Sequence, residues 1–324
     1  MNNIDEYYRS PDKSLWTGRI SNLDSPNQYW HECINLYQNG LKNLNSGNLN
    51  SDIGLLGYAC DEGVRRNNGR QGAVNGPIAI REQLGKLSAH FYGKKITDYG
   101  DVICSENNME VTQKVFSHIV KEIIDSGQLS IGIGGGHDLA YGHFCGIQKA
   151  LKKEKGSKIG ILNFDAHFDL RPPLKNSNSG SPFYQILEEF GNEAKYLAIG
   201  IQKFSNPDSL YKIASKLGVN YISNEDCTLI NINNVFKVID NDFKDCEYLY
   251  ISIDLDGFAS SHAPGVSAPG PFGFSTDFFR LVFDYVLKTK NVLAVDIVEL
   301  NPNYDIDSIT AKLAAQIIDI TVTK

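Results

Sequence analysis

The chain has 324 residues, of which 42% are hydrophobic and 21% are charged, as is ordinary for a globular protein with a large buried core. Its formal net charge is -7 and lysine and arginine form no stripe, which argues against nucleic acid or an anionic membrane as a partner. No apolar run is long enough to cross a membrane, and six cysteines without CxxC spacing are typical of reduced thiols in a cytoplasmic protein.

Short apolar segments alternate with helical patterns from Ile53 to the C-terminus, and no linker-like run divides them. Residues 1–26 look irregular. A succession of strand, helix and strand implies right-handed crossovers and a mostly parallel sheet covered by helices on both faces. We therefore expect one α/β domain spanning residues 1–324.

In chain order, hydrophobic periodicity predicts both kinds of element. Strands are predicted at residues 53–58, 96–102, 129–133, 159–162, 196–201, 248–253 and 292–298. Helices are predicted at residues 30–44, 78–87, 109–124, 139–151, 183–190, 209–217, 233–239, 276–288 and 308–320. Long connections at residues 61–76, 172–181 and 257–273 are rich in glycine, proline or polar residues, and loops of such length are usually functional.

Three of the predicted strands lead into residues that can bind a metal ion. Because the carboxyl ends of parallel strands meet at one edge of the sheet, these residues should converge there. Carboxylate and imidazole ligands suit Mn, Zn or Fe, and the lack of thiolate argues against a structural zinc site. The set exceeds what one ion needs, so we expect a two-metal site. The candidate ligands are His137, Asp165, His167, Asp169, Asp254 and Asp256.

At these residues the sequence resembles the ureohydrolases, the arginase and agmatinase superfamily. The strings GGGHD at 134–138, DAHFD at 165–169 and DLDGF at 254–258 look like its three signatures, in the same order. The resemblance runs from about residue 15 to the end. Longer strings look specifically like the formimidoylglutamase branch. These strings are LWTGR at 15–19, DEGVRRNNGRQGA at 61–73, NFDAHFDLRP at 163–172, SGSPF at 179–183 and HAPGVSAPGPFG at 262–273.

The resemblance implies a three-layer arginase-type fold with an eight-stranded sheet, and a homo-oligomer of three or six chains. It also implies two Mn2+ ions per subunit, with Asp165 and Asp254 bridging them. His137 and Asp169 would complete the coordination of one ion, and His167 and Asp256 that of the other. Asp169 would also accept a hydrogen bond from a metal-bridging hydroxide, the nucleophile that attacks the amidine carbon.

Other residues are candidates for holding the substrate. Glu299, at the end of the last predicted strand, could pair with the N–H groups of an amidinium, as the family's glutamate does at this motif position. Arg171 follows Asp169 by two residues, and its fork of donors suits a second carboxylate on the substrate, although a salt bridge that stabilises the loop is the alternative. The glycine-rich connection at residues 61–76 adds three further candidates for substrate binding, Arg65, Arg66 and Arg70.

Ser179 departs from the arginase pattern. The string SGSP at 179–182 resembles the family's His-Gly-x-Pro, whose histidine shuttles protons, so the proton donor is unassigned and Ser179 is kept as a substrate-binding candidate. His262 is an alternative donor, but an exposed loop histidine without a role is the better interpretation, and His143 is expected to be structural.

The resemblance implies manganese-dependent hydrolysis of N-formimidoyl-L-glutamate to L-glutamate and formamide, a step of histidine degradation. An agmatinase-like or guanidinobutyrase-like hydrolase is the first alternative. A metal-binding relative that has lost catalysis is the second, and Ser179 keeps it open.

Overall fold

The computed structural model describes residues 4–41, 44, 51–151 and 158–324. Within these ranges, ten strands form one sheet. They are β1 (Tyr8–Arg9), β2 (Asn35–Leu36), β3 (Ile53–Ala59), β4 (Ile96–Ile103), β5 (Leu129–Ile133), β6 (Ile159–Phe164), β7 (Ala194–Ile201), β8 (Asn220–Ser223), β9 (Tyr248–Asp254) and β10 (Val292–Val298).

Eight strands form a continuous parallel path in the order β4-β3-β5-β10-β9-β6-β7-β8. Two more strands, each of two residues, share the outer edge of β4. β1 is antiparallel to it, with Tyr8 opposite Val102, whereas β2 is parallel, with Asn35 opposite Thr97. The mostly parallel arginase-type sheet is confirmed, and its strand count is corrected from eight to ten. The irregular segment 1–26 thus contributes one of the added strands.

Helices cover both faces of the sheet and complete three layers. One hydrophobic core contains residues of α3, α8, α9 and α10, whereas the core on the opposite face contains residues of α4, α5, α6 and α7. The helices are α1 (Trp30–Cys33), α2 (Glu62–Arg66), α3 (Gly76–Leu84), α4 (Met109–Asp125), α5 (Leu139–Leu151), α6 (Pro182–Phe190), α7 (Asp208–Lys216), α8 (Ile232–Asp242), α9 (Thr276–Thr289) and α10 (Ile309–Thr323).

The central strands are buried along their whole length because both faces are covered. In β6 all residues are buried, and Ile161 packs in one core whereas Leu162 packs in the other. This alternation follows from the two-residue period of a strand. A side chain that follows such a strand therefore reaches the carboxyl edge of the sheet from a rigid support.

The predicted helix at residues 30–44 is wrong beyond its first turn. α1 ends at Cys33, Ile34 is extended, and Leu36 pairs with Asp98 of β4. Tyr37 continues this pairing, since its N–H donates to the Asp98 carbonyl at 3.0 Å. The open edge of β4 offers backbone hydrogen bonds that outweigh the helical spacing of the apolar residues. Residues 42 and 43 lie outside the described residues.

Two further differences are local. The loop at residues 61–76 contains the short helix α2, and β8 was missed because this edge strand is short and mostly exposed. None of the described helices is both long and apolar enough to span a membrane. The six cysteines, all of which lie in the described part of the chain, form no disulfide bond.

Candidate metal centre

The candidate site lies where four neighbouring strands end in the middle of the sheet. The strands are β5, β10, β9 and β6, in that spatial order. His137 follows β5, Glu299 follows β10, Asp254 ends β9, and Asp165 follows β6. A site at the carboxyl edge of a parallel sheet is the arrangement that the sequence predicts.

The glycine run after β5 is required by close packing. Gly134 and Gly135 have positive φ values of 77° and 74°. A Cβ atom on Gly134 would lie 2.4 Å from Cδ of Pro77, and one on Gly135 would lie 2.4 Å from the carbonyl oxygen of Tyr58. Only glycine allows the backbone to turn against these neighbours and deliver His137 to the site.

One group of candidate ligands surrounds His137. Its Nδ1 atom lies 2.9 Å from Oδ2 of Asp169, 3.1 Å from Oδ2 of Asp254 and 3.2 Å from Oδ2 of Asp165. The Nδ1 atom is buried and has no hydrogen bond of good geometry. Asp169 is held at a positive φ of 48°, which turns its carboxylate toward the group.

A second group forms around His167. Its Nδ1 atom lies 3.2 Å from Oδ2 of Asp256 and 3.4 Å from Oδ1 of Asp165. The two oxygens of Asp165 therefore face different histidines, and this residue belongs to both groups. Asp254 belongs to the first group and not to the second, and its Oδ1 accepts the N–H of Asp256 at 2.8 Å. A bridging role for Asp254 stays a prediction.

The electrostatics of the two groups fit divalent cations. Burial, followed by the charges of Asp256 and Asp165, raises the pKa of Asp254 well above its ordinary value. Burial lowers the pKa of His137, but the three facing carboxylates outweigh it and raise that pKa well above its ordinary value. Four buried carboxylates carry a formal charge of -4, which two divalent ions balance. Without such compensation, buried charge is strongly unfavourable.

A chain of buried hydrogen bonds orients His137 from behind. Its Nε2 atom lies 3.0 Å from Oγ of Ser252, which in turn donates to Oδ1 of Asp296 at 2.6 Å. The other oxygen of Asp296 accepts the Tyr250 hydroxyl and lies 2.8 Å from Nδ1 of His143. This places the His137 proton on Nε2 and leaves Nδ1 free for a metal ion. His143, which we expected to be structural, contacts Asp296 and so supports the orientation of His137 indirectly.

Glu299 lies beside both ligand groups. It has a positive φ of 66°, and its Oε1 atom accepts the main-chain N–H of His137 at 2.9 Å. Burial raises the pKa of Glu299 to about 8, the hydrogen bond from His137 opposes this rise, and the charge of Asp256 adds to it. Its Oε2 atom accepts no hydrogen bond from the described residues, so this oxygen is available to a ligand.

A cavity of about 300 Å³ opens above these residues. Arg171, Ser179 and Glu299 line it together with several of the candidate ligands. The neighbouring loops complete the wall. The lining residues are Val64, Asn67, Asn68, Gly69, Arg70, His167, Asp169, Arg171, Ser179, Asp254, Asp256, Ser267, Ala268 and Glu299.

Neither Arg65 nor Arg66 lines the cavity, so a role for them in substrate binding stays a prediction. Arg65 donates to Glu62 at 2.6 Å. Arg66 donates to Glu62 at 2.8 Å, to Glu110 at 2.6 Å and to the carbonyl of Ser177 at 3.2 Å. Arg65 therefore pairs within α2, whereas Arg66 joins α2 to α4 and to the loop at residues 172–181.

Arg70 and Arg171 both line the cavity but differ in their partners. Arg70 donates to the carbonyls of Ser267 at 2.9 Å and Val266 at 2.5 Å, and its guanidinium lies 4.0 Å from the centre of the Tyr304 ring. The side chain of Arg171 is exposed, and its guanidinium makes no hydrogen bond or ion pair with a described residue. Arg171 is thus the cation at this wall that is available to an anionic ligand.

Sequence reasoning missed several residues of this region. Asn67 and Asn68 line the cavity, although they stand inside the string that carries the family resemblance. Ser252 and Asp296 were missed because they lie within apolar strands. A polar residue in a buried strand was the available signal, since such a group needs a partner. His262 does not line the cavity.

Comparison with known proteins agrees with this geometry. Residues 51–322 match the Arginase family. A formimidoylglutamase of Geobacillus sp. (strain WCH70) is 37% identical over 310 residues, which cover 95% of this chain and 94% of that protein. The crystal structure of formimidoylglutamase from Bacillus subtilis superposes with a TM-score of 0.81 at 22% identity, covering 94% of this chain and 93% of the other.

A formiminoglutamase of Trypanosoma cruzi, crystallised with Mn2+, has a TM-score of 0.74 at 25% identity, and the match covers 87% of this chain and 97% of that one. The fold and the ligand set together define a metal-dependent hydrolase that acts on C–N bonds. The chain belongs to the arginase family.

Proposed function

We propose that this protein hydrolyses N-formimidoyl-L-glutamate to L-glutamate and formamide. The observation that carries the proposal is Arg171, which has no partner among the described residues and lines the same cavity as Glu299 and four of the six candidate ligands. A substrate with a cationic amidinium at one end and carboxylates at the other matches this distribution of charge. Relatives that are at least 35% identical over most of this chain are named formimidoylglutamase, which supports the same choice.

Two Mn2+ ions per chain are part of the proposal. His137, Asp165, Asp169 and Asp254 would hold one ion, and Asp165, His167 and Asp256 would hold the other. Oxygen-rich ligation favours manganese over softer metals. When bound, such a pair supplies Lewis acidity and lowers the pKa of water, so that hydroxide is available as a nucleophile near neutral pH.

Glu299 and the candidate ligand Asp169 would have different tasks. The free Oε2 of Glu299 would accept N–H groups of the amidinium, a charge-assisted contact that orients the reacting carbon. Asp169 would hold the proton released by the attacking water and return it to the leaving amine nitrogen. Among the described residues, no histidine other than the candidate ligand His167 lines the cavity. By resemblance, Ser179 of the string SGSP stands where arginases have a proton-shuttling histidine.

The distal part of the substrate would lie toward Arg171 and Ser179. The guanidinium of Arg171 pairs with a carboxylate through parallel N–H donors. An agmatine tail is cationic and would be repelled there, which argues against the agmatinase-like alternative. The convergence of all six ligand residues argues against a relative that has lost metal-dependent catalysis.

One experiment tests the proposal directly. Purified protein loaded with Mn2+ is incubated with N-formimidoyl-L-glutamate, agmatine, 4-guanidinobutyrate and arginine, and products are identified by NMR. We expect glutamate and formamide from the first compound and little urea from the others. Urea from a guanidine, with no formamide from formimidoylglutamate, would contradict the proposal.

The family resemblance also underlies two coarser proposals, an assembly of three or six chains and a cytoplasmic location. Sedimentation equilibrium of the purified protein would test the first, and fractionation of the source cells the second.

A further inference from the structure

We propose that Asn67 is a positioning residue, which makes the Ser179 hydroxyl a hydrogen-bond donor to a substrate carboxylate beside Arg171. This inference rests on the proposed function and adds a recognition element to it. The three residues line the same cavity. They come from two segments, the end of α2 and the loop at residues 171–181.

The direction of one hydrogen bond carries the argument. Nδ2 of Asn67 donates to Oγ of Ser179 at 3.2 Å. A hydroxyl has one donor hydrogen and two acceptor lone pairs, so this contact occupies a lone pair and leaves the hydrogen unused. Among the described residues, no acceptor takes that hydrogen. The Ser179 hydroxyl can therefore donate into the cavity.

The backbone fixes the position of Ser179 before any ligand arrives. Its N–H donates to the carbonyl of Gly63 in α2 at 3.1 Å, and the N–H of Asn67 donates to the same carbonyl at 3.0 Å. Arg66 adds the bond to the Ser177 carbonyl at 3.2 Å. Because α2 and the loop are joined by several bonds, little conformational entropy is left for the ligand to remove.

Gly180 leaves room for the side chains of Arg171 and Asn67 to lie close together. A Cβ atom on Gly180 would lie 3.0 Å from Cδ of Arg171 and 3.2 Å from Nδ2 of Asn67. Both side chains therefore cross the space above this glycine. A carboxylate in front of Gly180 can accept the Ser179 hydroxyl with one oxygen and guanidinium N–H groups with the other.

The inference predicts a ligand class. An anionic carboxylate satisfies both donors, whereas a cationic ammonium satisfies neither and is repelled by Arg171. Arg171 supplies the positive charge that attracts the carboxylate, and the hydrogen bond from Ser179 fixes its orientation. Asn67 acts only through Ser179.

The variant Asn67→Asp tests the direction of the bond. Its carboxylate would accept the Ser179 hydrogen, turn the hydroxyl away from the ligand and add a repelling charge. We expect KM for N-formimidoyl-L-glutamate to rise about tenfold or more, because the substrate carboxylate loses a hydrogen bond to a charged group. The kcat, the bound manganese and the hydrolysis of N-methylformamidine, which lacks carboxylates, should change less than about twofold.

Asn75→Asp is the matched control, because it makes the same change at an exposed residue of the same loop. It should reproduce none of these effects. A structural role for Asn67 predicts equal losses on both substrates, and that result would overturn the inference.

A double-mutant cycle covers the case in which Asn67→Asp folds poorly. Asn67→Ala and Ser179→Ala should each weaken binding, and the double variant should be little worse than Ser179→Ala alone. Fully additive losses would refute the coupling of Asn67 to Ser179.

Calorimetric binding of L-glutamate, which carries the two carboxylates, separates this inference from the proposed reaction. If parent protein binds glutamate more tightly than Asn67→Asp but does not hydrolyse formimidoylglutamate, the reaction fails and the recognition element stands. If parent and variant bind it equally, or neither binds it, the recognition element fails.

Discussion

The main-chain N–H of His137 donates to Oε1 of Glu299 at 2.9 Å, although 162 positions separate the two residues in the sequence. The bond joins the ends of two adjacent strands, β5 and β10. It anchors one oxygen of Glu299 beside a candidate metal ligand and leaves the other oxygen toward the cavity.

Replacing Glu299 by glutamine should lower kcat/KM for formimidoylglutamate roughly ten- to hundredfold. Glutamine keeps the acceptor for His137 but loses the charge that pairs with an amidinium. Steady-state kinetics measure the effect, with bound manganese unchanged. Glu193→Gln, at an exposed glutamate, is the control. An unchanged kcat/KM would place Glu299 outside substrate binding.

Removal of the ligands should abolish activity. His137→Ala or Asp254→Ala, assayed with excess Mn2+, should lose several orders of magnitude in kcat, because the metal pair supplies the nucleophile. Elemental analysis should show reduced metal content in both variants. Near-normal turnover in either would refute the two-metal mechanism.

Manganese should also stabilise the fold. Four buried carboxylates repel one another without a cation, so adding Mn2+ to chelator-treated protein should raise its Tm in a concentration-dependent manner. The variant Asp256→Asn should show a smaller rise, since it removes one charge from the second group. Calorimetric melts that do not respond to Mn2+, Zn2+ or Fe2+ would contradict a metal site at these residues.

Asp296→Asn should weaken metal binding about 10–100-fold without removing a ligand, as is typical of residues that orient a ligating histidine. An asparagine can still accept from Ser252 but lacks the charge that supports Nε2 protonation of His137. Competition with a fluorescent chelator measures the affinity. A normal manganese affinity would show that the Ser252–Asp296 chain is only structural.

Arg171→Lys should reduce kcat/KM for formimidoylglutamate about tenfold or more while both metals stay bound, because an ammonium cannot reproduce paired N–H donation. N-methylformamidine should be hydrolysed equally by variant and parent. Arg70→Lys is the informative comparison, since the bonds of Arg70 to Val266 and Ser267 hold the loop at residues 257–273. The Arg70→Lys variant should lose activity on both substrates. Equal losses in Arg171→Lys would assign Arg171 to holding the segment that carries the candidate ligands at 165–169.

The salt bridges of Glu62 give a pH-dependent contribution to stability. Hydrogen bonding by Arg65 lowers the pKa of Glu62 below 4.5, burial opposes the shift, and Arg66 adds to it. A depressed pKa in the folded state contributes stability above the unfolded pKa, and this contribution is lost as pH falls through the folded pKa. Glu62→Gln should therefore have a lower Tm than parent at pH 7. The difference in Tm between Glu62→Gln and the parent should become smaller below about pH 4.5. A pH-independent difference would contradict this assignment.

The sequence by itself determined which candidate ligands converge and most of the sheet. Apolar segments ending in Asp165, His167 and Asp254 predicted buried strands whose carboxyl ends meet, and the structure brings all six candidate ligands together there. This succeeded because side-chain alternation and parallel strand geometry are local rules. Glu299 was located by the same rule.

Only the tertiary structure decided which residues contact one another across the loops. Arg65, Arg66 and Arg70 looked alike in the sequence, yet they bond to Glu62, Glu110, Ser177 and the loop at residues 257–273. Arg171, in contrast, has no partner in the part of the chain that the structure describes. The helix predicted at residues 30–44 gave way to pairing with β4 for the same reason. A guanidinium or a backbone N–H takes the nearest acceptor in space, and residues far apart in the chain become neighbours only when the sheet has formed.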